Sequence, residues 1–170
     1  MTSSELAPLL SLNNTLKTTA AEADLVDSQS KVLDKIRAQL QDEPLVALIG
    51  SKGVGKTFIA WVLCNELDYT YNTWPVESLS GPGAVVDNAP SERVDARAVR
   101  AHCRLNNVSN CVFITDHRMR EAKTIPTVTL RLSNDEERSI VHRWENVSNR
   151  ALELTSTSIL SARKELNQYQ

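Results

Sequence analysis

The octet GSKGVGKT, Gly50 to Thr57, constrains this chain more than any other stretch. It sits between two apolar runs of different character. Before it stands LVALI, Leu45 to Ile49, short and apolar throughout, which is how a strand buried on both faces of a parallel sheet reads. After it comes KTFIAWVLCNEL. There Phe58, Ile59, Trp61, Val62, Leu63 and Leu67 suit a helix buried over much of its surface. Strand, glycine loop and buried helix in that order predict an α/β unit.

The octet fits G-x-x-x-x-G-K-[ST] at Gly50, Gly55, Lys56 and Thr57. A loop that wraps phosphates turns its backbone N–H groups inward, and glycine tolerates the dihedrals this needs. Gly53 adds a third flexible point. A lysine placed here reaches β- and γ-phosphates, and the following hydroxyl ligates Mg²⁺. A helix starting at the loop's end adds its positive N-terminus. The candidate phosphate-binding residues are therefore Gly50, Ser51, Lys52, Gly53, Val54, Gly55, Lys56, Thr57 and Phe58, with Thr57 also a metal ligand. On these residues the chain resembles the P-loop NTPase superfamily. The resemblance implies ATP and Mg²⁺ as ligands. It also implies a three-layer α/β fold with a mostly parallel central sheet of about five strands and flanking helices.

The rest of the chain alternates in the same way. DSQSKVLDKIRAQL predicts a helix with Val32, Leu33, Ile36 and Leu40 on its apolar face, capped by Asp27 or Ser28. DYTYNTW, Asp68 to Trp74, reads as a strand, and so does Ala84 to Val86, ending in Asp87. SERVDARAVRAHCRL reads as a helix with Val94, Ala98, Val99, Ala101 and Leu105 inward. CVFITD, Cys111 to Asp116, and TVTLRL, Thr127 to Leu132, are further strands. Ser133 and Glu136 have the spacing of a capping box before a helix that carries Ile140, Val141, Trp144 and Val147. The organisation expected is an N-terminal arm or docking helix over 1–26, a nucleotide-binding core over 27–150 and a C-terminal helical segment over 151–170.

A P-loop ATPase needs a second acid at the end of another strand to hold the Mg²⁺ shell. Asp87 and Asp116 both qualify, and either could instead cap the helix that follows. The chain is most similar to the AAA+ and RecA-like branch. There the order of P-loop strand, second strand, Walker B strand and sensor strand places Asp87 at Walker B, and Thr115 and Asp116 at the sensor. AAA+ proteins usually follow the Walker B acid with glutamate, whereas this chain has Asn88. An amide can position water but cannot act as a general base. The resemblance then implies slow hydrolysis, a base from elsewhere such as Glu77, or one supplied by a partner. Lys56, Asp87, Asn88 and Arg118 are the catalytic candidates. Arg118, with Arg120, follows the sensor strand and suits an arginine finger.

Arg93, Arg97, Arg100 and Arg104 fall three and four apart, which makes one helical face basic. That face is either solvated and paired with nearby acids or a contact for nucleic-acid phosphates. The net charge of −2 gives no general affinity for nucleic acid. Three cysteines without metal spacing read as reduced buried thiols, and there is neither a membrane-length apolar run nor a signal peptide. The expected location is cytoplasmic. The absence of N-K-x-D and of an L-S-G-G-Q signature argues against a GTPase and an ABC protein. The reading that follows is an ATPase, with weak or partner-dependent turnover, acting as a switch or motor subunit with a protein partner or a second copy of itself. A regulatory subunit with little hydrolysis, and a small-molecule or nucleotide kinase using His117 to Lys123 as its lid, are the alternatives.

Overall fold

Strands covered on both faces have no reason to alternate, and the central strands of this protein do not. The computed structural model describes residues 13–89, 96–116 and 125–151. Residues 20–132 form one compact unit. Its strands are β1 (Leu45–Gly50), β2 (Thr70–Thr73), β3 (Gly83–Asp87), β4 (Asn110–Thr115) and β5 (Thr127–Leu130). They form a single sheet in the order β2-β3-β4-β1-β5, with every pairing parallel. The described residues at the two ends form a second unit, with helix α1 over 13–19 and helix α5 (Asn134–Ala151).

In β1, β3 and β4 almost every residue is buried, in keeping with parallel strands roofed on two sides. Alternate side chains serve opposite faces. Leu45 and Ala47, Ala84 and Val86, and Cys111 and Phe113 share one cluster with Cys103 of helix α4 (Ala96–Leu105), and Val99 packs against it. The residues between them, Val46, Leu48, Val85, Val112 and Ile114, point the other way, toward helices α2 (Asp27–Asp42) and α3 (Lys56–Leu67). α2 packs on β1 and β5, and α3 on β1, β2 and β3. Within α3, Ile59 to Leu63 are all buried, so the helix has no polar stripe. Leu48 is fully buried. Leu48→Ala is expected to cost roughly 2–5 kcal/mol by loss of transfer energy and cavity formation, read as a lower urea midpoint with an unchanged slope.

Three details differ from the sequence reading. Helix α2 is preceded by Val26 as its cap residue, not Asp27 or Ser28, and no side chain of that residue closes the helix. Of the inner face expected for α4, Val99 packs on the core beside the unforeseen Cys103, Ala101 is exposed and Leu105 is 82% exposed, and Val94 lies outside the described residues. The 3.6-residue period was right, but its phase followed Leu105, which lies at the helix's last turn. β2 and β5 are also shorter than their apolar runs, as befits the two edges of the sheet. The capping box at the start of α5 is formed: the Ser133 N–H donates to Glu136 Oε2 at 2.8 Å, and the Glu136 N–H to Ser133 Oγ at 3.3 Å.

Cys103 and Cys111 are buried free thiols, and Cys64 is half-buried. The hydrogen bond with Cys103, together with burial, pushes the Cys111 thiol well above its ordinary range, so it stays protonated. Among the described residues no helix is long and apolar enough to cross a membrane.

Candidate functional site

β1 ends at Gly50, and its neighbours in the sheet, β4 and β5, lie on opposite sides of it. The chain leaves β1 toward β3 and β2 on one side and reaches β5 on the other. The strand order therefore reverses at β1, where open α/β sheets form a crevice at their carboxyl edge. The loop between Gly50 and Lys56 lies in that position. Gly53 and Gly55 have φ of +87° and +89°, a left-handed backbone that only glycine adopts cheaply. A Cβ at Gly55 would also collide with the side-chain nitrogen of Gln29. Ser51, Lys52 and Gly53 are exposed, Val54 is buried, and Gly50, Gly55, Thr57 and Phe58 are half-buried. Phe58 meets Trp61 edge-on, with ring centroids 6.2 Å apart.

Lys56 opens α3 and is buried, unusual for a lysine unless it is paired. Its Nζ donates to the carbonyls of Gly50 at 2.8 Å and Ser51 at 2.9 Å, and to Asp116 Oδ1 at 2.7 Å. The ammonium is thus folded back over the loop that carries it. Asp116 follows β4 and is half-exposed.

Asp87, at the end of β3, is 2% exposed. Thr57 Oγ1 donates to its Oδ2 at 2.7 Å, the Tyr71 hydroxyl donates to the same oxygen at 2.8 Å, and the Asn88 N–H donates to Oδ1 at 2.8 Å. Three donors hold the carboxylate in one orientation. A threonine hydroxyl that donates to a carboxylate keeps its lone pairs for a cation. Mg²⁺ is usually held by one or two carboxylates and substrate phosphates, not by an all-protein cage. The pair of Thr57 and Asp87 fits that ion. Burial, followed by the neighbouring Asp87 charge, pushes the Tyr71 phenol far above its ordinary range, so Tyr71 remains a donor at any working pH.

Asn88 is exposed and has φ of +58°. The chain turns into the left-handed region directly after the acid, and asparagine tolerates that region better than glutamate does. Glu77 is exposed in the loop after β2. Arg118 lies outside the described residues, as do Arg93, Arg120 and the segment His117 to Lys123. Of the basic stripe, Arg97 and Arg104 are exposed, and Arg100 stands 3.7 Å from Glu43.

Sequence reasoning passed over two residues of this cluster. Tyr71 lies in a segment that the sequence shows only as a strand; its hydroxyl reaches Asp87 because β2 pairs with β3. Gln29 was one more helix residue; it is 3% exposed and touches the loop across 25 positions of sequence. The capping-box spacing of a glutamine at the third helical position is the only local sign of it.

No protein-family model matches the chain, and no curated protein matches it. Among solved structures it is similar to a DNA replication initiation factor, with a TM-score of 0.57 and 12% identity over 88% of this chain and 64% of that one. The chain therefore spans less than two thirds of that protein's length. It also matches C. elegans PCH-2 with a TM-score of 0.39 and 14% identity, over 76% of this chain and 48% of that one. The first likeness is one of fold. The protein has the P-loop NTPase fold, and its five-stranded parallel sheet has the AAA+ strand order.

Proposed function

We propose that the protein binds ATP–Mg²⁺ and acts as a nucleotide-dependent switch or motor subunit of a larger assembly, with turnover that is weak or depends on a partner. The observation that carries this reading is the 2.7 Å contact between Thr57 Oγ1 and Asp87 Oδ2. It joins the end of the glycine loop to the acid of a strand two places away in the sheet, which is the pairing a Mg²⁺–triphosphate site requires. In this reading Gly50 to Phe58 surround the phosphates, Lys56 offsets the β/γ charge, Thr57 ligates the metal, and Asp87 holds its water shell. Lys56 is already matched here by Asp116, and Asp87 adds a second negative charge. A polyphosphate entering such a site brings uncompensated negative charge, and a divalent cation offsets it.

Slow turnover is the part that rests on Asn88. An exposed amide can orient a water and cannot take its proton. A partner or a second copy then supplies what is missing, through a base or through an arginine finger such as Arg118. Exposed Arg97 and Arg104 favour a test with nucleic acid as that partner, and the similar structure of a DNA replication initiation factor makes DNA the first choice. A kinase would need an acceptor site as well, and no observation favours one.

The experiment is ATP affinity and ATP turnover on the same preparation, with and without duplex DNA. Submicromolar to micromolar binding with turnover well below the typical enzyme median of about 10 s⁻¹ is the expected result. Absence of Mg²⁺-dependent ATP binding would refute the reading, and phosphate transfer to a small molecule would replace it with the kinase.

A further inference from the structure

Gln29 has a task that its place in a helix does not require. It is the third residue of α2, and its Oε1 accepts the Val26 N–H at 3.2 Å, which is half of a capping box. Its Nε2 donates to the Val54 carbonyl at 3.1 Å, at the crown of the glycine loop. The whole side chain is buried, at 3% exposure. Glutamate would serve the cap equally well. Only an amide also donates to Val54, because a carboxylate has no hydrogen to give.

Gly55 belongs to the same arrangement. With φ of +89° it already disfavours any side chain, and the place its Cβ would take is filled by the Gln29 amide. Besides its covalent continuation into α3, the loop's crown is fastened by the Gln29 amide to the chain entering α2. Leu25 and Val26, in that entering segment, are themselves buried.

We propose that Gln29 is a positioning residue for the phosphate loop: its single amide ties Val54 to Val26 and so holds the loop in its ligand-receiving form. The proposal deepens the ATP reading and rests on it for the identity of the ligand. The loop's own N–H groups do the binding, so fixing the loop beforehand lowers the entropy lost when a phosphate docks.

Gln29→Glu at pH 8 separates the two bonds, since it keeps the cap and removes the donor. Gln29→Met, of similar length, removes both and serves if the buried carboxylate prevents folding. The measurements are amide hydrogen exchange without ligand and Mg–ATP affinity by calorimetry. Gln29→Glu is expected to speed exchange at 51–57 while the first turn of α2 stays at the wild-type rate, and to weaken Mg–ATP by about tenfold, the worth of one buried hydrogen bond. Gln29→Met should speed exchange in both places. A purely structural role would show faster exchange in α2 for Gln29→Met alone, with an unaltered loop and unaltered affinity in both variants. That result, or a wild-type loop in both variants, overturns the proposal. Wild-type protein that binds no Mg–ATP would sink the ligand reading alone, and the exchange arm would still decide whether Gln29 holds the loop.

Discussion

Lys56→Ala is expected to weaken ATP binding by about thirtyfold or more while the protein stays folded. Among the described residues the ammonium is the one cationic group buried at the loop, and three oxygens already converge on it. Truncating one partner of a buried, hydrogen-bonded charge pair costs roughly 2–5 kcal/mol of binding, which is about thirtyfold to several thousandfold in Kd. The fold survives for a specific reason. Asp116, left without its partner, has half its surface in water, and Ser51 is exposed. Calorimetric titration with Mg–ATP, beside a far-ultraviolet circular dichroism melt, checks both halves. An unaltered Kd would remove Lys56 from the site.

The second large effect is at Asp87, and there the choice of substitution decides what is learned. Alanine strands the Tyr71 and Thr57 hydroxyls in a buried place, at about 1–3 kcal/mol for each buried polar group left unpaired. Loss of binding in Asp87→Ala would then mix metal chemistry with damage to the fold. Asp87→Asn is nearly isosteric and can still accept the Asn88 N–H. It removes the charge and puts an amide NH₂ where the oxygen accepted from Thr57 and Tyr71, so the two hydroxyls keep a partner only by rotating to accept. The expected result is a 10–100-fold rise in the Mg²⁺ concentration needed for half-maximal ATP binding, as is usual when a group that orders a metal's surroundings is lost. Thermal stability should change far less than in the alanine variant. Equal Mg²⁺ dependence in wild type and Asp87→Asn would mean that Asp87 serves Tyr71 and Thr57 alone, and Asp116 would become the metal acid.

How legible the site was follows from the distance over which each part acts. Gly50 to Thr57 are contiguous, and their demands on backbone and charge are written in consecutive letters. The sheet was legible too, because strands buried on both faces are apolar at every position. Asp87 could be paired with the loop only by assuming a strand order, and the parallel register of β3 against β4 and β4 against β1 supports that assumption. Tyr71 and Gln29 were not legible. Each reaches the site through a single hydrogen bond across the fold, and a lone hydroxyl or amide leaves no periodic trace. The phase of α4 failed for a related reason: a terminal leucine outweighed a cysteine in a hydrophobicity pattern, although the cysteine is the residue that meets the core.

The order of the sheet also governs when the protein can exist. β1 is in place by residue 50, yet both strands that pair with it come later: Leu45 aligns with Cys111 and Leu48 with Val128. On a ribosome this apolar strand would wait with one edge unsatisfied for 66 residues and the other for 80, separations read from those two registers. Strand pairing over such separations is slow, and an unpaired apolar edge invites aggregation in the meantime. The phosphate loop is therefore among the first parts of this unit to be synthesised and among the last to acquire its support. A chain stopped before Thr127 would carry every letter of the motif and lack one wall of the strand on which it is mounted.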